Sequence, residues 1–210
     1  MPNNPVLVAM DLEGVFVPEI WIAVAEATGI PELRLTTRDV NDYDQLMRGR
    51  LAILRRHGLT LADIQRVIGT LSPLPGAVEF VAGLRARFPF IILSDTYYEF
   101  AGPLMAKLGS PTLFCNSLET DPAGNVVDYH LRIRDGKFHS VNAFRALNFT
   151  VVAAGDSYND TTMLGAAHFG ILFRPSDKVR QEFPQFPVAE DYATLDRLIT
   201  EFVAGQNAPR

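Results

Sequence analysis

Asp11 and Glu13 stand two apart in Asp11-Leu12-Glu13-Gly14-Val15, directly after the apolar run Val6-Leu7-Val8-Ala9-Met10. In an extended segment, residues two apart point the same way. Two carboxylates so placed can divide labour, one attacking an electrophile while the other moves a proton. The plainer reading is an acidic surface turn. A second acidic pair, Asp156 and Asp160, follows Val151-Val152-Ala153-Ala154-Gly155. Carboxylate oxygens suit Mg²⁺, which takes one or two of them alongside water and substrate phosphate; either aspartate could instead cap a helix. Ser94-Asp95-Thr96 follows Phe90-Ile91-Ile92-Leu93. Its hydroxyls and backbone N–H groups can bind a phosphoryl oxygen, or an N-cap can use them up. Lys137 offers a point charge against phosphate, although a solitary lysine is ordinarily a surface residue.

The elements that must position these residues are legible in the same runs. Short unbroken apolar stretches suit strands buried on both faces, as in a parallel sheet. Helical patterns lie between them: Val78, Val81 and Leu84 before the second run, and Phe100, Leu104, Met105 and Leu108, closed by Gly109, after it. Alternating strands and helices predict an α/β domain. Ligands bind beyond the carboxyl ends of strands in open α/β sheets, so Asp11, Ser94 and Asp156 are expected to converge. Between the first strand and the helix near residue 77, no strand reads well. That stretch is too long for a βα loop. It carries a helix from about Asp42 to His57 closed by Gly58, and another opened by a capping box at Thr60-Leu61-Ala62-Asp63. It reads as a helical lid, ending at Pro73-Leu74-Pro75-Gly76. Thr112 to Cys115 and Val126 to Ile133, around the turn Asp121–Asn125, predict a β-hairpin. The tail Ala204 to Arg210 is expected to fray.

Within the lid, Leu46, Arg50 and Ile53 share a helical face with Met47, Leu51 and Leu54. Arg50 therefore sits among apolar side chains, whereas Arg48 and Arg55 do not. Its fork matches a carboxylate or phosphate, and snorkelling at the edge of the face is the alternative. Trp21 and Phe16 read as core, with a pocket wall as the alternative. His57, His130, His139 and His168 have no metal-ligand spacing, and Cys115 reads as a small buried residue.

The composition bounds the partners. The 210 residues are 48% apolar, with 24 acidic against 19 basic side chains and a formal charge of −5. That balance argues against nucleic acid or an anionic membrane as partner, but not against a small phosphate. One cysteine excludes an internal disulfide framework. The start Met1-Pro2-Asn3-Asn4-Pro5 shows no signal-peptide pattern, and no apolar run spans a membrane, so a soluble cytoplasmic protein is expected.

Taken together, Asp11-Leu12-Glu13-Gly14-Val15, Ser94, Lys137 and Gly155-Asp156-Ser157-Tyr158-Asn159-Asp160 resemble the four motifs of the haloacid dehalogenase superfamily, in its order and roughly its spacing. The segment after the first motif resembles the cap of the phosphoserine phosphatase branch. Val17-Pro18-Glu19-Ile20-Trp21-Ile22, Thr36-Thr37-Arg38-Asp39, Ile171-Leu172-Phe173 and Glu182-Phe183-Pro184-Gln185-Phe186-Pro187 extend the likeness toward members that also pass the phosphoryl group to homoserine.

The resemblance implies a Rossmann-like parallel sheet with helices on both faces. Residues 1–15 and 76–210 would form the catalytic core and 16–75 a helical cap. It implies Asp11 as nucleophile, and Mg²⁺ held by Asp11, the Glu13 carbonyl and Asp156, with Asp160 in support. Ser94, Asp95, Thr96, Lys137 and Asn159 would lie at the phosphoryl group. With Arg50 on a substrate carboxylate and Glu19 on its ammonium, the substrate would be a phosphorylated amino acid, with water or homoserine as acceptor. A homodimer is expected on the same grounds. Phosphatases of the superfamily usually carry aspartate where this chain has Glu13. Competing readings are a phosphatase for another small ester, a phosphate-responsive module like a response-regulator receiver, and a structural relative without activity.

Overall fold

A computed structural model describes residues 4–36, 39–40 and 42–207. Met1 to Asn3, Thr37, Arg38, Asn41 and the tail from Ala208 to Arg210 lie outside the described residues. In chain order the elements are β1 (Val6–Met10), α1 (Ile20–Thr28), α2 (Tyr43–His57), α3 (Leu61–Thr70), α4 (Ala77–Arg87), β2 (Phe90–Tyr97), α5 (Tyr98–Lys107), β3 (Thr112–Thr120), β4 (Val126–His130), α6 (Gly136–Ala146), β5 (Thr150–Gly155), α7 (Thr161–Ala166), β6 (Phe169–Phe173), α8 (Asp177–Glu182), β7 (Val188–Ala189) and α9 (Tyr192–Asn207).

The strands form one sheet in the order β4-β3-β2-β1-β5-β6-β7, parallel throughout except for the β3–β4 hairpin. Alternation along β1 fills both faces: Val8 and Met10 enter the core on one side, Leu7 and Ala9 that on the other. Helices cover both faces, with α6, α7 and α8 contributing Val141, Met163, Leu164 and Val179 to the second core. This is the expected mostly parallel α/β architecture. Chain order reverses at β1, which lies between β2 and β5, and such a switch point opens a crevice at the carboxyl ends of the strands.

Several sequence expectations need correction. β2 does not stop at Leu93 but runs through Ser94, Asp95 and Thr96 to Tyr97. Its pairing with β3 passes from Leu93↔Phe114 to Tyr97↔Asn116, so the stretch between carries extra residues and bulges. The polar triplet had read as the end of the strand because the bulge breaks its apolar run. Val78 faces solvent, and Phe80 takes the buried place on α4 with Val81 and Leu84. Helix α1 was not read as an element, because its nearly uniform apolar character gives no helical periodicity. β3 extends to Thr120, and β4 stops at His130, leaving Leu131 and Ile133 exposed. The tail is helical to Asn207 rather than frayed from Ala204.

The helices between β1 and α4 begin and end as their caps dictate. The Asp42 side chain accepts the Gln45 N–H, and Gly58 ends α2 in the left-handed conformation. Thr60 and Asp63 form the capping box of α3. The Leu61 N–H then donates to the Gly124 carbonyl, fastening α3 to the hairpin turn at 2.9 Å. Phe16 packs in the main core against Phe80, Phe90 and Tyr192. Among the described residues no helix is long and apolar enough to cross a membrane.

Candidate active site

The carboxyl ends of β1 and β5 and the bulge of β2 border a cavity of about 110 Å³ lined by Asp11, Glu13, Glu19, Arg50, Ser94, Asp95, Thr96, Lys137, Asp156 and Asn159. Asp160 lies beneath it, fully buried. The structure thus brings together residues that the chain scatters across most of its length.

Asp11 follows β1, and its Oδ1 accepts the Leu12 N–H at 2.7 Å and lies 3.0 Å from Lys137 Nζ. Lys137 is only 3% exposed, in the first turn of α6, which disposes of the surface-lysine alternative. It donates to Asp160 Oδ1 at 2.7 Å and lies 3.7 Å from Asp95 Oδ2. Asp160 Oδ2 accepts the backbone N–H groups of Asp156 and Ser157, so it braces the turn after β5. Asp160 occupies the N-cap position of α7 without a side-chain cap bond there. Ser94 Oγ accepts the Thr96 N–H at 3.2 Å, shaping the bulge rather than starting α5, whose N-cap is Tyr97. Asn159 Nδ2 donates to Asp95 Oδ2 at 2.9 Å.

Burial raises the Asp11 carboxyl well above the ordinary carboxylate range, and the charges of Asp160 and Asp156 add to this against Lys137. Burial alone would lower Lys137, but Asp11, Asp160 and Asp95 outweigh it and keep the ammonium charged. Carboxylates therefore outnumber the cation at this centre. Oxygens of Asp11, Asp156 and Asp160 lie within 4.8 Å of one another, an all-oxygen set suited to a hard divalent cation. Room for it depends on Gly14, where a Cβ would come 2.6 Å from Asp156 Oδ2 and where φ is +74°.

Glu13 is drawn away from Asp11: its Oε2 accepts the Ile20 N–H at the start of α1, at 2.9 Å. Burial and the charge of Glu19 push its carboxyl up to about 7, against hydrogen bonds from Ile20 and Thr96 and the charge of Arg50. Glu19 is the N-cap residue of α1 and lines the cavity without capping the helix by its side chain.

Arg50 is buried, unlike Arg48, which pairs with Asp128 at the surface. Its Nη2 donates to the Leu35 carbonyl at 2.7 Å, and its guanidinium lies over the Trp21 ring at 4.5 Å. Burial lowers its pKa, yet Nε has no hydrogen-bond partner among the described residues.

Sequence reasoning missed Tyr43 and Tyr97, whose hydroxyls meet at 2.8 Å on the cavity wall. Tyr43 lies two helical turns before Arg50 on α2, a spacing that could have revealed it. Trp21 is both buried and pocket-lining, whereas Phe16 is core alone. Cys115 is buried as expected; His130 pairs with Glu119, and His168 Nδ1 accepts the Val151 N–H.

The architecture and the acidic centre at its switch point define an α/β enzyme built around a strand-end aspartate. The chain belongs to the haloacid dehalogenase-like hydrolases, whose family model matches residues 19–165. It is 60% identical over 201 residues to a phosphoserine phosphatase of Pseudomonas syringae pv. tomato, covering 96% of this chain and 84% of that protein. It is also 60% identical over 191 residues to the phosphoserine phosphatase ThrH of Pseudomonas aeruginosa, covering 91% and 93%. Among solved structures, a substrate-bound phosphoserine phosphatase complex superimposes with a TM-score of 0.76 at 18% identity, over 95% of this chain and 99% of that one. A phospho-aspartyl intermediate analogue of phosphoserine phosphatase gives 0.72 at 19%, over 89% and 93%.

Proposed function

We propose that the chain is a Mg²⁺-dependent phosphoserine phosphatase that works through an aspartyl-phosphate and can pass the phosphoryl group to water or to homoserine. The observation that carries this reading is the buried Arg50, whose Nε lacks a partner among the described residues, on the same small cavity as Glu19, Asp11 and Lys137. A guanidinium and a carboxylate across one cavity suit the two charges of an amino acid, and Asp11 with Lys137 suits its phosphate. The curated relatives support the same substrate.

In the proposed reaction an Asp11 oxygen attacks phosphorus while the bond to the serine oxygen breaks. Glu13 gives its proton to that leaving oxygen. Glu13 then takes a proton from water or the acceptor hydroxyl, which attacks phosphorus and releases Asp11. Lys137, the Ser94 hydroxyl and the backbone beside Asp95 hold the phosphoryl oxygens, with Asn159 at their edge. Asp11, the Glu13 carbonyl and Asp156 would hold the cation, with Asp160 bracing them through its bonds to Lys137 and the Asp156 amide. When bound, the cation neutralises charge on the phosphoryl group. Residues 16–75 would act as a cap over a core of 1–15 and 76–210, excluding water around the reaction.

Incubation with phosphoserine and Mg²⁺, with and without homoserine, tests this reading, with phosphate and phosphohomoserine measured together. The expected result is phosphate alone in the first case and both products in the second. Absence of phosphoenzyme and product defeats it. Asp11→Asn is expected to abolish turnover, because an amide is a poor nucleophile.

A further inference from the structure

Trp21 and Arg50 come from separate helices, α1 and α2, and are 8% and 7% exposed. The guanidinium carbon lies 4.5 Å from the centre of the indole ring, within cation–π range. The indole is itself held from α5, where Phe100 meets it edge-on at 5.4 Å. Two other contacts fix the guanidinium, the Leu35 carbonyl to Nη2 and the Met47 sulfur to Nη1 at 3.6 Å. Nε–H is left over, buried and unpartnered among the described residues. A flexible arginine loses rotamer freedom when it grips a ligand, and one already clamped by its neighbours avoids that loss.

We propose that Trp21 is a positioning residue for amino-acid recognition, its ring face holding the Arg50 fork in the orientation that receives the substrate carboxylate. The proposal rests on the reading that Arg50 binds that carboxylate. Phe100, Trp21 and Arg50 form a chain of contacts that runs from α5 through α1 to α2. The specificity of the site is thereby set by α1 as well as by the helix that bears the arginine. Trp21 touches the arginine and acts through it, so its contribution belongs to binding and not to the chemical step.

The test compares phosphoserine with phosphoethanolamine, which lacks the carboxylate. Trp21→Leu is expected to raise KM for phosphoserine about tenfold, with kcat within about twofold and KM for phosphoethanolamine little changed. Trp21→Phe keeps an aromatic face and is expected to recover most of the loss. Arg50→Ala is the reference. If it weakens both donors equally, the carboxylate reading fails. If Arg50→Ala discriminates between the donors and Trp21→Leu does not, the positioning proposal alone is overturned. Trp21 is the chain's single tryptophan, so a second readout needs no replacement of it. In Asp11→Asn protein saturated by calorimetry, emission is expected to respond to phosphoserine and not to phosphoethanolamine. Equal responses, or none, overturn the proposal even if Trp21→Leu fails to fold.

Discussion

Lys137 is the point on which the charges of the site balance, with Asp160 at 2.7 Å, Asp11 at 3.0 Å and Asp95 at 3.7 Å. Removing one partner of a buried ionic group leaves the others uncompensated, which costs about 3–5 kcal/mol. Lys137→Ala is therefore expected to lose stability of that order in urea melts run with chelator. On the proposed mechanism it also loses about 10²–10³ in kcat. Preserved chelated stability would contradict the geometry. Glu13 carries a separate prediction. Its carboxylate is one methylene longer than the aspartate usual in the superfamily, and the α1 N-terminus holds it at 2.9 Å. The longer side chain is expected to crowd the path of a small attacking water more than that of a bound alcohol. Glu13→Asp should raise the ratio of phosphate to phosphohomoserine when both are measured in one reaction; an unchanged ratio defeats this account.

The turn between β1 and α1 sets the distance from the first carboxylates to the second acidic pair. Gly14 has φ +74°, and a Cβ there would reach to 2.6 Å from Asp156 Oδ2. Gly14→Ala is thus expected to strain the backbone by about 1 kcal/mol and to displace Asp156 as well. The visible effect should be a higher Mg²⁺ requirement for activity, larger than the fall in thermal midpoint explains. At this scale the sequence was readable wherever burial alone chose the residues. The runs Val6 to Met10 and Val151 to Ala154 suit strands covered on both faces, which they are, and their ends placed Asp11 and Asp156. Caps made α2 and α3 legible for a similar reason, since Asp42, Gly58 and Thr60 act on their own neighbours. What stayed hidden depends on distant partners. The bulge of β2 exists because its register with β3 slips, which no local pattern in Ser94-Asp95-Thr96 encodes. Lys137 pointed to the phosphoryl group through the family resemblance, but its burial among three aspartates comes from where α6 sits, and Trp21 reads first as core although α2 lays Arg50 across it.

For the molecule as a whole, the net charge of −5 is distributed with a purpose at one place, where oxygens of Asp11, Asp156 and Asp160 lie within 4.8 Å. Those residues come from opposite parts of the chain and meet only because β1 and β5 are parallel neighbours in register, Met10 beside Ala154. The unfolded chain has no such cluster, so a divalent cation taken up there would bind the native state selectively, and its binding free energy would become folding free energy. Without the cation, like charges press on one another across the switch point, and the charges of Asp160 and Asp156 add to the rise that burial gives the Asp11 carboxyl. Free Mg²⁺ at a hundred times its dissociation constant is expected to add about 2.7 kcal/mol over the chelated protein. For a chain of this size that is about 5–10 °C in thermal midpoint. Asp156→Asn should flatten this response while leaving the chelated midpoint equal or higher, because one of the crowded charges is gone. A midpoint indifferent to Mg²⁺ in the unsubstituted protein would mean that the acidic centre is held together by Lys137 alone.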